Sequence, residues 1–272
     1  MKEISGDHSL NAGKVAWFLV YNLLRGLRGY TSFIRTEYIY LPDPGGSTAS
    51  PGRRQIDRFF LSELPRLLPL RELDVLDLGC GSGYLAGLLA QAGYRGNYLG
   101  LDLRINDTAA SPPGDNLKVS FQAGDIGSFR TDRLFDLVVS VSTLEHLADD
   151  RTAVCKAGRL LKPGGLQVHV CPAFWALFLY LSHGWRQYNP GRLKYLFGSR
   201  DYRVYRLGGA FSFLLHLLFI TVPFFLFRRQ PAPRPRFYSG LAGLCNRLDR
   251  FAPFCSANYV VIKKKEPAPG AH

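Results

Sequence analysis

Five short apolar segments between residues 73 and 171 constrain the fold of this chain more than any other feature. They are rich in Val, Leu and aromatic residues, and segments of helical spacing separate them, at residues 83–92 and 144–161. Short apolar runs of this kind are typical of strands buried on both faces. Their alternation with helices predicts a doubly wound α/β fold with a mainly parallel sheet. The segments are "LDVLDL" (73–78), "NYLGLDL" (97–103), "LKVSFQAG" (117–124), "FDLVVSVS" (135–142) and "GLQVHVC" (165–171).

Two later segments complete the predicted sheet. "DYRVYRL" (201–207) and "SANYVVIKKK" (256–265) have strand-like patterns and bring the number of strands to seven. We therefore expect a core at 72–207 and 254–265, with an insertion at 208–253 before the last strand.

Residues 1–71 are predicted to form a basic, partly helical N-terminal extension. Its first helix is expected to carry Lys14, Arg25 and Arg28 on one face, opposite an apolar face. A loop rich in proline, glycine and serine, "LPDPGGSTASPG" (41–52), interrupts the extension, and a second helix is expected at 53–67. The predicted apolar face of the first helix consists of Ala16, Leu19, Leu23 and Leu27, and Phe18 and Tyr21 interrupt the basic face. Packing on the enzyme core and contact with a membrane surface both stay open for this helix.

The formal net charge of +13 over 272 residues favours an anionic partner, either nucleic acid or a phospholipid surface. The hydrophobic content of 47% is sufficient for a sizeable core and excludes a disordered chain. The five cysteines form no CxxC pair, so the sequence indicates neither a zinc site nor a disulfide framework. A reducing cytoplasm suits this composition.

The stretch "VLDLGCGSGYLA" (75–86) places a glycine-rich turn after the first core strand. Its glycines give G-x-G-x-G rather than the G-x-G-x-x-G of dinucleotide sites, and no Lys-Ser/Thr pair follows as in a phosphate loop. Asp77 precedes the turn, where its carboxylate would repel a pyrophosphate and attract an ammonium or sulfonium group. The turn therefore predicts a ligand with a cationic amino-acid end.

Two more acidic residues follow the next two strands. Asp102 has the spacing of a residue that holds ribose hydroxyls, and Asp125 in "AGDIGSF" could accept from an exocyclic amine such as that of adenine. Because the carboxyl ends of parallel strands meet at one edge of a sheet, the three carboxylates predict a nucleoside site.

The blocks "DLGCGSGYLA", "LGLDL", "AGDI", "FDLVVSVSTLEHLAD" and "GRLLKPGGLQVHV" resemble the class I S-adenosylmethionine-dependent methyltransferases. Within that class they are similar to the small-molecule and ubiquinone-biosynthesis O-methyltransferases, over about residues 72–171. The resemblance implies S-adenosylmethionine as cofactor and a Rossmann-like methyltransferase fold. It implies that Gly79, Cys80 and Gly81 line the methionine part of the cofactor, with Asp77 and Gly83 in the same turn. It also implies that Asp102 and Leu103 hold the ribose and that Asp125 and Ile126 hold the adenine. Ser140 and Val141 would approach the sulfur.

The Glu145–His146 pair follows the fourth strand, where acceptor and cofactor would meet. His146 is a candidate general base, and Glu145 is a candidate catalytic or structural residue beside it. Methyl transfer from a sulfonium can also proceed by alignment alone. Ubiquinone-type relatives carry an acidic residue of a metal-binding cluster where this chain has Ser142, so we predict no metal.

The segment "GGAFSFLLHLLFITVPFFLF" (208–227) has twenty residues without a formal charge. That length could span a bilayer, but a single crossing would leave the last strand on the wrong side of the membrane. His216 and Pro223 also weaken a spanning helix. A membrane-interface helix and a lid or oligomer interface therefore rank ahead of a true span. Arg228, Arg229, Arg234 and Arg236 after the segment favour the membrane interface.

The sequence thus predicts a methyltransferase for a lipophilic or lipid-linked small molecule, acting at oxygen by resemblance, and peripheral on the cytoplasmic membrane face. Two alternatives stay open. One is a soluble sugar or secondary-metabolite methyltransferase whose apolar segment is a lid. The other is a nucleic-acid-modifying methyltransferase, which the absence of an N/D-P-P-Y/F tetrapeptide disfavours.

Overall fold

The computed structural model describes most of the chain. The described residues are 4–7, 10–29, 34–43, 46–69, 71–105, 116–181, 183–198, 201–227 and 236–266.

Eight strands form one sheet in the order β1-β7-β8-β6-β5-β2-β3-β4. The pairs β1–β7, β2–β3, β2–β5, β3–β4 and β5–β6 are all parallel. The predicted fold class is confirmed, and seven of the strands lie where the sequence predicts them. The strands are β1 Glu37–Tyr38, β2 Glu72–Leu78, β3 Arg95–Asp102, β4 Leu117–Ala123, β5 Phe135–Val141, β6 Leu161–Pro172, β7 Tyr202–Leu207 and β8 Asn258–Lys264.

The eighth strand is β1, which the sequence analysis did not predict. Glu37 and Tyr38 pair in parallel with Tyr205 and Arg206 of β7. Two residues are too few to produce a period-two pattern, so this strand exists only through its partner.

Ten α-helices and several short helical turns connect the strands in the described part of the chain. The α-helices are α1 Ala12–Gly29, α2 Pro51–Arg58, α3 Leu64–Leu67, α4 Tyr84–Gln91, α5 Asp150–Arg159, α6 Ala176–Tyr180, α7 Pro190–Phe197, α8 Ala210–His216, α9 Val222–Phe227 and α10 Arg236–Leu248. A π-helical turn, Leu217–Thr221, joins α8 to α9. A second one, Phe59–Glu63, joins α2 to α3 within the helix predicted at 53–67.

The chain divides into two compact units. The first unit comprises 1–59, 171–194 and 204–260, and the second comprises 60–170, 195–203 and 261–272. The domain boundaries drawn from composition stay a prediction.

The second unit contains β2, β3, β4 and β5. The middle residues of β2 and β5 are buried, as expected for strands covered on both faces. Its apolar core fixes the carboxyl ends of these four strands at one edge of the sheet. That edge carries all thirteen candidate site residues.

In the first unit, the buried side of α1 includes Phe18, which interrupts the predicted basic face. Phe18, Asn22 and Gly26 are buried, whereas Leu27 of the predicted apolar face is exposed. The reason is a close approach to α6, because a Cβ on Gly26 would lie 2.1 Å from the ring of Phe174. Of the predicted apolar face, Ala16 and Leu27 are exposed and Leu19 and Leu23 are half-buried, so what this face contacts stays a prediction.

Candidate functional site

The glycine turn after β2 is tied to the end of β3. The main-chain amides of Gly79 and Cys80 both donate to the carbonyl of Leu101, at 2.7 and 3.1 Å. Gly79, Gly81 and Gly83 all have positive φ, at 77°, 55° and 72°. Left-handed backbone of this kind favours glycine, which explains the G-x-G-x-G spacing. The turn ends at Gly83, and α4 begins at Tyr84.

Two glycines of the turn differ in what surrounds them. A Cβ on Gly79 would lie 2.2 Å from Cγ2 of Thr143, so this position has no room for a side chain. A Cβ on Gly81 would meet no atom of the described residues within 4 Å. The backbone at Gly81 therefore borders open space, as a turn that admits a ligand close to the main chain requires.

Asp77 is a buried carboxylate directly before this turn, and its side chain is only 2% exposed. Its Oδ2 accepts from the hydroxyl of Tyr98 at 2.5 Å, while its Oδ1 has no hydrogen-bond partner among the described residues. Burial raises the pKa of Asp77 to about 7, opposed by the Tyr98 hydrogen bond and reinforced by the charge of Asp102. An unpaired buried oxygen is costly and suits a cationic ligand group.

Cys80 lies within the turn but is not a candidate nucleophile. Its thiol is buried, and burial together with the charges of Asp77 and Asp102 raises its pKa to about 12. The reactive form of cysteine is the thiolate, which this setting suppresses. Cys80 is therefore a small packing residue of the turn.

Asp102 is half-buried at the end of β3 and bonds back to the glycine turn. Its Oδ2 accepts from the amide of Gly81 at 2.8 Å, and its Oδ1 accepts from the amide of Arg104 at 3.4 Å. Each carboxylate oxygen has two lone pairs, so both can still accept from ligand hydroxyls. Leu103, the next residue, is 68% exposed.

Asp125 follows β4 and closes a turn of its own. Its Oδ1 accepts from the amide of Ser128 at 3.0 Å, and its carbonyl accepts from the amide of Phe129 at 2.9 Å. The Asp125 side chain is exposed, and Ile126 beside it is buried. The turn thus places an exposed carboxylate next in sequence to a buried apolar side chain, a pair that suits an amine-bearing aromatic base.

The end of β5 carries the remaining candidate residues. The Ser140 hydroxyl lies 2.8 Å from Nδ1 of His169 on the neighbouring strand, and Nε2 of this histidine lies 3.0 Å from Oε1 of Gln167. Ser140 and His169 are fully buried, and burial lowers the pKa of His169 to about 3. The neutral histidine donates from Nε2 and accepts from Ser140, so the Ser140 hydroxyl is used inside the sheet. A role for its backbone near the sulfur stays a prediction, as does that of half-buried Val141.

Ser142 follows β5 with φ of 51°, a left-handed conformation that is uncommon outside glycine. A short 3₁₀ turn, Leu144–His146, comes next. Glu145 in this turn is buried and His146 is exposed. The catalytic roles predicted for this pair stay predictions.

The predicted site residues lie at the ends of neighbouring strands, but sequence reasoning missed the residues that contact them. Tyr98, Thr143 and His169 contact Asp77, Gly79 and Ser140 respectively. No spacing rule links these pairs, because each contact joins different strands or loops. In the order β5-β2-β3-β4, β5 and β3 lie on opposite sides of β2. Open α/β sheets bind their ligands at such a switch point.

Residues 76–168 match the family described as Methyltransferase domain. This segment is a class I methyltransferase domain. The resemblance drawn from the sequence is confirmed, and S-adenosylmethionine is the cofactor of this class. The methyltransferase domain is similar to ubiquinone biosynthesis O-methyltransferases of Rickettsia akari, at 26% identity over 100 residues, and of Rickettsia felis, at 29% over 102 residues. These matches cover 36% of this chain, and 40% and 41% of those proteins.

Solved structures of methyltransferases are also similar to the chain. A Haloferax volcanii methyltransferase, solved with the Trm112 methyltransferase activator, is 20% identical with a TM-score of 0.49, covering 82% of this chain and 95% of that one. The 1,6-didemethyltoxoflavin-N1-methyltransferase of Burkholderia thailandensis is 14% identical with a TM-score of 0.45, covering 97% and 94%.

Proposed function

We propose that the chain is an S-adenosylmethionine-dependent methyltransferase that methylates a lipophilic or lipid-linked small molecule at an oxygen atom. The observation that carries the enzymatic part is the edge formed by Asp77, Asp102 and Asp125. Three carboxylates follow three adjacent strands, around a glycine turn that borders open space. The assignment of oxygen as the methylated atom rests on the similarity to O-methyltransferases, which covers only 36% of the chain.

The residues present fit this cofactor. The unpaired Oδ1 of Asp77 would accept from the ammonium group of the methionine part, along the turn of Gly79, Cys80 and Gly81. Asp102 would accept from the ribose hydroxyls beside Leu103, and Asp125 would accept from the adenine amine over Ile126. The cofactor supplies a methyl group on a positively charged sulfur. The chain's own contribution is to bind the cofactor and orient it towards the acceptor. Aligning the two reactants removes a large part of the activation barrier to methyl transfer.

His146 is the candidate acceptor for the proton that a hydroxyl acceptor loses. It is exposed directly after β5, at the same edge of the sheet as the three carboxylates. Glu145, the preceding residue, is buried, which suits a role in stabilising this turn or in holding the cofactor. Neither residue requires a metal for these roles.

Calorimetric titration with S-adenosylhomocysteine tests the cofactor assignment. We expect binding by the full chain with one site, and transfer of a labelled methyl group from S-adenosylmethionine into a lipid extract. A folded chain that binds no S-adenosylhomocysteine would contradict the enzymatic proposal. Labelling of soluble sugars or of nucleic acid instead of lipids would favour one of the two alternative acceptors.

Charge supports a membrane partner for this enzyme. The first unit contains 18 basic and 6 acidic residues, a net charge of +12, while the second contains 16 and 15, a net charge of +1. Nearly all of the excess charge of +13 therefore belongs to one unit. A cation near an anionic leaflet contributes about 1 kcal/mol to binding.

Exposed apolar side chains lie on the same unit. On α1 they form a stripe at helical spacing, and on the helix Ala210–Phe227 they are concentrated at the C-terminal end. We call these residues the apolar surface: Trp17, Val20, Leu24 and Leu27 of α1, with Leu218, Phe224, Phe225, Leu226 and Phe227. Lys14 and Arg28 of α1 are also exposed. Exposed apolar patches bordered by cations are typical of membrane-binding surfaces.

The helix Ala210–Phe227 is long and apolar enough to cross a membrane by composition, with a mean hydropathy of 2.2. Hydrogen bonds and packing nevertheless tie one side of it to other elements of the first unit, although only 22% of the helix is buried. Asp249 Oδ1 accepts from the amides of Phe211 and Ser212, and the Thr221 hydroxyl donates to the carbonyl of Leu179 at 2.7 Å. Leu215 packs with Tyr238 and Ala242 of α10.

These contacts end at Thr221: none of Val222–Phe227 is buried, and Leu214 and Leu218 before it are also exposed. Six helical residues span about 9 Å, against a hydrocarbon core of about 30 Å. The helix therefore suits insertion at the interface and not a crossing, and we propose that it docks the enzyme on the cytoplasmic membrane face. Arg228, Arg229 and Arg234 lie outside the described residues.

Flotation with vesicles tests this docking. The full chain should float with phosphatidylcholine–phosphatidylglycerol vesicles and less with phosphatidylcholine alone. The triple variant Phe224→Ser, Phe225→Ser, Phe227→Ser should reduce flotation by about tenfold or more. Leu134→Ser is the matched control, because Leu134 is an exposed leucine of the second unit. A wild type that floats with neither kind of vesicle would overturn the docking proposal. If that protein is a monodisperse monomer, the apolar helix is better explained as a lid; if it is a dimer, as an oligomer interface.

A further inference from the structure

Lys156 on α5 makes an unusual set of contacts with the turn after β4. Its Nζ donates to the carbonyls of Ile126, Gly127 and Phe129, at 2.7, 2.6 and 2.8 Å. An ammonium group has three N–H donors, and all three are used here. The three acceptors belong to one turn of four residues, which lies 27 to 30 positions away in the chain.

This concentration of contacts argues against a simple anion site. Lys156 lies in a surface cavity of about 640 Å³ whose lining includes Arg130, Arg151 and Arg159. The charges in that cavity could attract a phosphate, but the ammonium of Lys156 has no donor left for one. Its three donors all point to the main chain of the turn, so its role lies in the turn itself.

The turn held by Lys156 is the one that begins at Asp125. Three carbonyl oxygens that converge on one point repel one another unless a cation lies between them. Arg130 also donates to the carbonyls of Gly127, Ser128 and Phe129, but it belongs to the same loop and is exposed. Lys156 is the contact that fixes this turn to a helix.

We propose that Lys156 is a positioning residue for the nucleoside of the cofactor. By binding the carbonyls of 126–129 it holds the turn in the shape that aims the Asp125 carboxylate and presents the Ile126 side chain. It does not touch the cofactor; it acts through Asp125. The proposal rests on the proposed function, since it assumes that Asp125 and Ile126 receive the adenine.

The chain offers a matched control for this residue. Lys265 also donates to main-chain carbonyls, those of Leu161 at 2.6 Å and Arg159 at 3.4 Å, but not to the turn. The comparison uses Lys156→Met, which removes the charge, Lys156→Arg, which keeps charge and donors, and Lys265→Met. All variants are full-length chains, checked for folding by thermal denaturation.

Two measurements test the proposal. Hydrogen exchange of the ligand-free chain should show faster exchange of the amides of Ser128 and Phe129, which donate to Asp125, in Lys156→Met, and no change there in Lys265→Met. Calorimetry should show about tenfold weaker S-adenosylhomocysteine binding in Lys156→Met, the loss expected for one charge-assisted hydrogen bond. Lys156→Arg should recover most of that affinity, and Lys265→Met should bind as the wild type does.

A double-mutant cycle shows whether Lys156 acts through Asp125. If it does, adding Lys156→Met to Asp125→Ala should weaken binding little beyond Asp125→Ala alone. Fully additive losses of affinity in the double variant would overturn the proposal. A Lys156→Met variant with unchanged affinity would also overturn it, and so would one whose turn amides exchange as in the wild type. A wild type that binds no S-adenosylhomocysteine would overturn the proposed function, and the role of Lys156 with it. A wild type that binds, alongside a Lys156→Met variant that binds equally well, would overturn the role of Lys156 alone.

Discussion

The amide of Gly81 donates to Oδ2 of Asp102 at 2.8 Å, which joins the middle of the glycine turn to the end of the next strand. The same carboxylate is the one assigned to the ribose. Asp102 shapes the turn after β2, and in the proposed site its remaining lone pairs would accept from the ribose. A substitution at Asp102 should affect both.

Asp102→Ala should weaken S-adenosylhomocysteine binding by about 10- to 100-fold, the loss expected when a ligand loses one to two hydrogen bonds to a charged group. Asp102→Asn keeps an acceptor for the Gly81 amide and should have an intermediate affinity. Isothermal titration calorimetry measures both. Asp132→Ala removes an exposed acidic residue after β4 and is the control. Equal affinity of Asp102→Ala and wild type would show that Asp102 does not contact the cofactor.

The two glycines of the turn should respond differently to alanine. Gly79→Ala places a Cβ 2.2 Å from Thr143 and should lower the free energy of unfolding by more than the 1–2 kcal/mol or so of left-handed strain alone. Gly81→Ala carries only that strain, because no described atom lies within 4 Å. Its Cβ would instead enter the open space beside the turn, so its main effect should be weaker binding of S-adenosylhomocysteine. Urea denaturation and calorimetry separate the two effects, and a Gly81→Ala variant with wild-type affinity would place the ligand elsewhere.

Asp77 should make both stability and binding depend on pH. Its pKa is raised from 3.8 to about 7, chiefly by burial, so between these values the folded chain holds a proton that the unfolded chain has released. This group therefore lowers the free energy of unfolding as pH rises from about 4 to about 7, and adds no further change above that. Asp77→Asn should remove this component, so the difference between variant and wild type should grow in favour of the variant across that range.

Binding should show the opposite trend at the same residue. The ionised carboxylate attracts the ammonium of the cofactor, so the affinity of the wild type for S-adenosylhomocysteine should rise as pH increases through about 7. The Asp77→Asn variant should bind more weakly and lack this rise. Calorimetry at several pH values measures it. A parallel pH profile in both proteins would exclude Asp77 as the source.

Ser140→Ala should affect stability and not cofactor affinity. The substitution leaves Nδ1 of the buried, neutral His169 without its donor, at a cost of about 1–3 kcal/mol in the free energy of unfolding. The affinity for S-adenosylhomocysteine should stay within about twofold, less than the loss of one hydrogen bond. Denaturation and calorimetry on the same preparation decide this. A large loss of affinity at unchanged stability would instead support contact between the Ser140 hydroxyl and the ligand.

The strands and the turn residues could be predicted because their signals are local. A strand buried on both faces requires a run of apolar residues, and left-handed backbone at Gly79, Gly81 and Gly83 requires glycine. The supporting residues could not be predicted in this way. Tyr98 contacts Asp77 from a neighbouring strand, and Lys156 reaches the turn after β4 from α5. Nothing in the spacing of either residue indicates its partner.

The two amphipathic elements show the same division. The pattern of α1 allowed an apolar face at Leu19, Leu23 and Leu27, but packing of Gly26 against Phe174 decided which side is buried. Composition allowed the helix Ala210–Phe227 to span a membrane, a possibility that the sequence analysis placed last. The hydrogen bonds to Asp249 and from Thr221 tie it to other elements of the first unit.

The sequence by itself determined the α/β fold class, the glycine turn and the three carboxylates at successive strand ends, because each depends on neighbours within a few residues. Only the tertiary structure decided that Asp77 is desolvated, that Asp102 also binds Gly81, that Lys156 holds the turn at Asp125, and how much of the apolar helix projects. These properties depend on burial and on hydrogen bonds between distant segments. Both arise only when the chain is packed.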